Sequence, residues 1–376
     1  MLNVLKWEFR KQFTQKRVLI SIVVIIGFYL ATMLGGDLYT TDQEYLVELE
    51  GEVSPELVDN PDQLLSTIDY GESGETHQFN VEQAVLSTLT SMEMADSYNQ
   101  QRMMEIDQKL DESGQRAILL KEKEMRGAID PWYLSSDRPS FMVTVDLKST
   151  AFLFVGLLVL IGLSGIYSRE EELNVSPYIM TSKLGRSKGP VAKMIVAITY
   201  ATGIVVLFVG AVWLKIAEDL EASWLIFKGW QAPIQLGRFL ESPYPMTMMD
   251  YHLAQIGLLW LGAVSFAMLI TMISGIIGNS FVSLLVSGSI YGFPYVLFES
   301  LFDPETTPAW LLQWKPFTMI YQMQANIYFE RFQGFSVGGW AVLLPVVVSV
   351  AAIIFIVVVG LAGIYYIRNL KTVTTS

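Results

Sequence analysis

The chain has 376 residues, 52% of them apolar, with a positive mean hydropathy and a formal net charge of −12. That apolar share is too high for an ordinary soluble domain. With no cysteine and two histidines, His77 and His252, the chain has no disulfide framework and no thiolate metal site, and it is a poor host for a zinc or haem centre.

The charge is unevenly spread. Residues 37–146 hold 24 acidic and 7 basic residues; the rest of the chain holds 13 acidic and 18 basic. An acidic segment of this size repels phosphate, which excludes nucleic acid as a partner. Residues 18–36, 149–168, 194–214, 251–298 and 332–367 carry no charge at all, over 19, 20, 21, 48 and 36 residues. A helix rises ~1.5 Å per residue, so about 20 apolar residues cross a ~30 Å hydrocarbon core. The 48-residue run accommodates two crossings about a break at Gly275-Ile276-Ile277-Gly278-Asn279-Ser280. The expectation is an all-α membrane protein of six transmembrane helices.

In chain order, residues 1–17 carry Lys6, Arg10, Lys11, Lys16 and Arg17 against one acid, Glu8. Leu2, Leu5, Phe9 and Phe13 recur at helical spacing beside Trp7, which fits an interfacial elbow helix. The same pattern fits a basic leader that only enforces topology. A basic lead before an apolar run resembles a signal peptide, but the run is long enough to span. Ala31-Thr32-Met33-Leu34-Gly35-Gly36 is also a poor cleavage site, so residues 18–36 read as an uncleaved first span.

Residues 37–147 read as an acidic outer domain. Asn80 followed by Gln83 has capping-box spacing. Val81, Val85, Leu89, Met92 and Ala95, then Met103, Ile106 and Leu110, keep a 3–4 rhythm interrupted near Asn99. Ser113-Gly114 would end that helix, and a second would run over residues 115–129 to stop before Pro131. An antiparallel hairpin with the Met/Leu stripe as its seam is expected.

Residues 148–376 supply spans two to six. The loop at 169–193 carries Arg169, Lys183, Arg186, Lys188 and Lys193, and the tail carries Arg368 and Lys371. Six spans put these and the lead on one side, which the positive-inside rule assigns to the cytoplasm. Within the loop, Ser176-Pro177 reads as an N-cap and first turn, Tyr178 to Leu184 as one or two helical turns, and Gly185 as a C′ stop. Tyr178, Ile179 and Met180 would face the cytoplasm and a protein partner; a solvated structural turn is the other reading. Residues 216–249 and 299–331, rich in Trp and Pro (Trp224, Trp230, Pro304, Trp310, Trp314), read as short helices at the outer interface. Pro345 would kink the last span.

No catalytic constellation is legible. The chain has no phosphate-binding loop, and Gly185-Arg186-Ser187-Lys188-Gly189 has the wrong spacing for one. His252 beside Tyr251 and Asp250 reads as an interfacial residue, and His77 as solvated. The spans hold no ionisable group for ion coupling or for an intramembrane enzyme.

Tyr167-Ser168-Arg169-Glu170-Glu171-Glu172, then Met180-Thr181-Ser182-Lys183-Leu184-Gly185-Arg186, then Ala192-Lys193, resembles the coupling segment of type-2 ABC export permeases. The chain departs from that pattern at a Gly-Thr step, where Asn174-Val175 stands. The basic elbow, six spans, large first outer loop and cytoplasmic C-terminus resemble the family across nearly the whole chain. The resemblance implies a permease subunit in the bacterial plasma membrane, not itself an enzyme and holding no cofactor. ATP and magnesium would belong to a cytoplasmic ATP-binding partner. Glu170, Glu171, Glu172, Pro177, Tyr178, Ile179, Met180 and Arg186 would couple to that partner. A second permease copy or a paralogue would pack on spans two and five, at Gly162, Gly165, Ser283, Ser287, Gly288 and Gly292; packing within one subunit fits these small residues equally well. The cargo would be an amphipathic or apolar lipid, drug or antimicrobial peptide. The alternative is a non-transporting receptor or sensor whose outer domain binds a peptide or envelope ligand.

Overall fold

The computed structural model describes residues 1–32, 50–54, 57–58, 60–66, 75–110, 116–135, 138–219, 226–236, 239–302 and 307–369. The turn expected at Ser113-Gly114, as well as Trp224, Pro304 and Lys371, lies outside these residues, as does the side chain of His77. The described chain is mostly helical. Its main helices are α1 (Leu2–Phe13), α2 (Lys16–Thr32), α3 (Glu75–Leu110), α4 (Arg116–Arg126), α5 (Arg138–Leu163), α6 (Ser168–Glu172), α7 (Ser176–Thr181), α8 (Lys183–Asp219), α9 (Met248–Ile276), α10 (Ser280–Val296) and α11 (Leu344–Asn369). Strands β1 (Gly51–Glu52) and β2 (Tyr133–Leu134) pair antiparallel, as do β3 (Gly334–Val337) and β4 (Trp340–Leu343).

Among the described residues, five helical segments are long and apolar enough to cross a membrane: Leu147–Glu172, Leu184–Glu218, Met248–Ile276, Ser280–Leu301 and Leu344–Asn369. This is the character of a multi-pass membrane protein. The sixth expected span, residues 18–36, is described as far as Thr32. Helix α2 has 17 residues and meets the same test only jointly with α1, across a bend of 53°. Helix α9 is the central element. It packs on α5, α8 and α11, its Leu259, Ala263, Phe266 and Ile270 are buried in the core, and Phe266 stacks on Tyr291 of α10. Where the surroundings are lipid, such contacts stabilise through close packing more than through water exclusion. Glycines permit it: a Cβ on Gly162 would sit 2.3 Å from the Tyr200 ring, and one on Gly156 would sit 2.4 Å from Tyr291. Both tyrosine hydroxyls donate to α5 carbonyls, at Leu158 and Phe152 (3.1 and 2.5 Å).

The bundle has two unlike ends. One, the basic end, gathers α1, the segment from Ser164 to Lys193, the α9–α10 break and the end of α11, where Arg368 donates to the Ser187 carbonyl. The other, the capped end, carries a folded domain. Val81, Val85, Leu89, Met92 and Ala95 of α3 form its core with Val53, Val58, Leu64, Leu134 and Leu236. The first part of the stripe is therefore the seam between α3 and the segments around Val53, Leu64, Leu134 and Leu236, and the second part is the seam of the expected hairpin. Only the later part of α3 pairs with α4. There Asn99 donates to the Arg126 carbonyl (2.9 Å), and Glu122 is bonded by both Arg102 and Arg126 (3.0 Å each). Helix α3 also starts at Glu75, so Asn80 lies inside it and not at its N-cap position.

Three further expectations are corrected. The run 332–367 is not all span: β3 and β4 form a hairpin turning at Gly338 and Gly339 (φ 58° and 85°), the left-handed pair that tight turns require. Pro345 consequently sits in the first turn of α11, where its missing N–H costs nothing, and starts the helix instead of kinking it. His252 is not interfacial but buried, packed against Trp230 and Trp213, with the Trp213 indole donating to its Nε2 (3.1 Å). The break between α9 and α10 lies where the sequence placed it, and Asn279 caps α10 by accepting from the Val282 N–H (3.0 Å).

Candidate functional site

The basic end concentrates the chain's polar chemistry. Helix α5 stops at Leu163, and a turn over residues 164–167 leads into α6. The Ser274 hydroxyl of α9 accepts from the backbone N–H of both Tyr167 and Ser168 (3.1 Å each), filling the donors that a helix start leaves open. This break turns Glu170 inward and leaves Glu172 on the surface.

Glu170 belongs to a buried cluster of two carboxylates and two ammonium groups. Lys193 donates to it at 2.6 Å and lies 3.6 Å from Glu8; Lys11 pairs with both acids. The Lys193 ammonium also reaches the Ile166 carbonyl (2.8 Å) and sits 4.5 Å above the Tyr167 ring. Burial pushes the Glu8 carboxyl above the ordinary range, against the pull of Lys193 and Lys11. Charges this far from water persist only when paired and hydrogen-bonded, and the matched cluster meets that condition. Gln12 adds a bond to the Gly162 carbonyl (2.8 Å). Helix α1 thus turns its polar side, Glu8 and Gln12, to the bundle and leaves Leu2, Trp7 and Phe13 exposed.

Glu172 performs a different task. It accepts from the Ser280 N–H (2.6 Å) and hydroxyl (2.9 Å), placing a negative charge at the start of α10, where the helix dipole favours it. Glu171 is half-buried beside Gly278. Sequence reasoning grouped the three glutamates; the fold separates them into an internal ion pair, a helix cap and a packing contact.

Helix α7 is present but is built differently from expectation. Val175 is its N-cap, Ser176 is its first, buried residue, and Pro177 follows in the first turn. Asn174, just before it, adopts φ 54°. The helix ends at Ser182, whose hydroxyl accepts from the Gly185 N–H (3.0 Å). Gly185 is no C′ stop; it lies in the first turn of α8. A Cβ there would meet the Ile179 carbonyl oxygen at 2.1 Å, so glycine is needed to let α7 and α8 touch. Tyr178 is 77% exposed, whereas Ile179 and Met180 are half-buried. Pro177 and Arg186 are exposed, and Arg186 forms no ion pair among the described residues. Leu173, Val175 and Leu184 add exposed apolar surface around Tyr178.

The small residues assigned to spans two and five act largely within this chain. Gly162 carries Tyr200, Gly165 carries the Arg17 guanidinium, and Gly288 faces Leu160. Ser283 and Ser287 are buried on the inner face of α10, while Gly292 borders open space. The outer face of α10 is apolar and exposed at Phe281, Leu285, Val286, Ile290 and Phe293.

Among the described residues, no three His, Asp or Glu side chains are arranged to hold a metal ion. No family model matches the chain, and neither does any curated protein or solved structure.

Proposed function

We propose that the chain is the permease subunit of a bacterial ABC exporter, crossing the plasma membrane six times with both termini in the cytoplasm and the capped end outside. The observation that carries this reading is α7: a one-turn helix that presents Tyr178 to solvent and is braced on three sides. Gly185 seats it on α8, Glu170 ties the preceding turn to α1 and α8, and Glu172 ties that turn to the start of α10. A push on Tyr178 therefore acts on a connected set of helices and not on a slack loop. The exposed ring with Leu173, Val175 and Leu184 is the kind of apolar anchor that protein interfaces bury. The six-crossing reading is supported by α2, which starts at the basic end beside Arg169. The next described residue, Glu50, accepts from the Gly229 N–H at the capped end (3.0 Å).

ATP and magnesium would reside in a cytoplasmic ATP-binding partner, and a second permease would cover the outer face of α10. The cargo is amphipathic or apolar, since the spans offer it little fixed charge. The test is co-expression with a candidate ABC ATP-binding subunit. Tyr178→Ala and Leu173→Asp change exposed side chains and should leave insertion intact. ATPase copurification and cargo-stimulated hydrolysis should fall about tenfold or more in each. Unchanged binding and turnover in both would remove α7 from the mechanism.

A further inference from the structure

The 53° corner between α1 and α2 opens onto a groove of about 1250 Å³, walled by α1 on one side and by α6, α7 and the start of α8 on the other. Its polar lining is cationic where it is not already matched. Glu8 and Glu170 are paired with Lys11 and Lys193, which leaves Lys16, Arg17 and Arg169. The Nε of Arg17 and the Nη1 of Arg169 both donate to one neutral acceptor, Gln15 Oε1, at 3.0 Å each. Two guanidinium groups thus converge on a single uncharged oxygen. Neither has a carboxylate within ion-pair distance among the described residues. Glu172, whose field reaches Arg17, is engaged with Ser280. An oxyanion placed between the two forks would relieve their repulsion and take up their remaining N–H donors.

We propose that this groove binds the headgroup of an anionic phospholipid. The inference rests on the multi-pass membrane character of the chain and not on ATPase coupling. On the α1 side its apolar lining, Val4 and Trp7, suits an amphiphile and gives nothing to a free anion. From Arg17 onward the outward face of α2 is a continuous apolar track of Leu19, Ile20, Val23 and Val24, all exposed, along which acyl chains lie. The corner stands where an interfacial helix turns into a crossing one, which is the depth of lipid phosphates. Clustered cations at such a junction on the cytoplasmic side attract anionic headgroups.

The test is native mass spectrometry of the full-length protein released from nanodiscs of mixed phosphatidylglycerol and phosphatidylcholine. Wild type should retain phosphatidylglycerol selectively. Arg17→Gln/Arg169→Gln should retain about thirtyfold less, at roughly fivefold per cation. Lys6→Gln/Arg10→Gln, on the same helix but outside the groove, should match wild type. Equal losses in the two variants would reduce the effect to general surface charge and overturn the proposal. Displacement by millimolar inorganic phosphate would assign the site to a free anion and overturn it as well. A second measurement needs no variant: phosphatidylglycerol with a photoreactive headgroup should crosslink wild type at residues 14–17 and 169–178. Crosslinks confined to other segments would equally reject the groove. No ATPase enters either measurement, so a failure of the coupling test leaves this result standing.

Discussion

Lys193 is where a single atom's position carries most weight. Its side chain is 2% exposed, and its ammonium is shared among Glu170, Glu8, the Ile166 carbonyl and the Tyr167 ring. Removing one charge from a matched buried set leaves another uncompensated, at a cost of about 3–5 kcal/mol, whereas replacing a whole pair is often near neutral. Glu170→Gln and Lys193→Met should therefore each lower the thermal midpoint in detergent markedly, and the double variant should recover much of the loss. Additive losses would mean that the two side chains do not act as a pair. At the capped end, Glu105 shows the exposed counterpart. Its hydrogen bond from Arg102 holds its carboxyl below the usual 4.5. With the folded value depressed, the unfolded chain takes up the proton first. The stabilisation is therefore complete above the unfolded value and lost as pH falls through the folded one. Comparing wild type with Glu105→Gln between about pH 5 and pH 3 should show wild type losing slightly more stability, by a margin that salt erases.

Among the elements, the break at Asn279 and the helices α4 and α7 were legible because each depends on neighbours a few residues away. The short elements expected between the spans also appear, as single turns such as Ala309–Leu312 and Asn326–Phe329. Charge counting failed at β3 and β4, since an uncharged hairpin and an uncharged span look alike to it. The Gly338-Gly339 pair, flanked by Phe335, Val337, Trp340 and Val342, was the available signal. It likewise could not sort Glu170 from Glu172, because the partner of the first, Lys11, lies 159 residues away and that of the second, Ser280, lies 108 away. The α7–α8 contact yields a test of its own. Gly185→Ala would drive a methyl into the Ile179 carbonyl, a backbone atom that cannot swing aside. Overpacking of this kind costs about 1–3 kcal/mol. A cysteine at Tyr178 should then change its labelling rate while the spans stay inserted; an unaltered rate would show that α7 does not depend on α8 for its position.

At the scale of the molecule, the two unlike ends bear on orientation. Single-cysteine labelling is clean because the chain has no cysteine. Met104→Cys on the exposed face of α3 should react in intact cells, and Tyr178→Cys only after permeabilisation. The opposite pattern would invert the topology and with it the place of α7. The bundle itself was legible from apolar run length. The composition of its cap was not, because three loops that are remote in sequence contribute to it: Glu241 accepts from Arg126 through its carbonyl and pairs with Arg331 through its carboxylate, and Ser242 donates to the Phe329 carbonyl (2.7 Å).

That shared cap has a consequence for how the chain is made. The core built on Leu89 and Leu134 is closed by Leu236 and Leu240, which follow roughly a hundred residues after β2. Ribosomes add about 5–20 residues per second, so the apolar edge of the segment between α2 and α5 waits about 5–20 s for its cover. The segment between α2 and α5 should accordingly not mature as an autonomous unit: secreted alone, it would keep an open, sticky edge. In the whole protein it is a late-closing structure, its apolar edge open until the segment that carries Leu236 has been made.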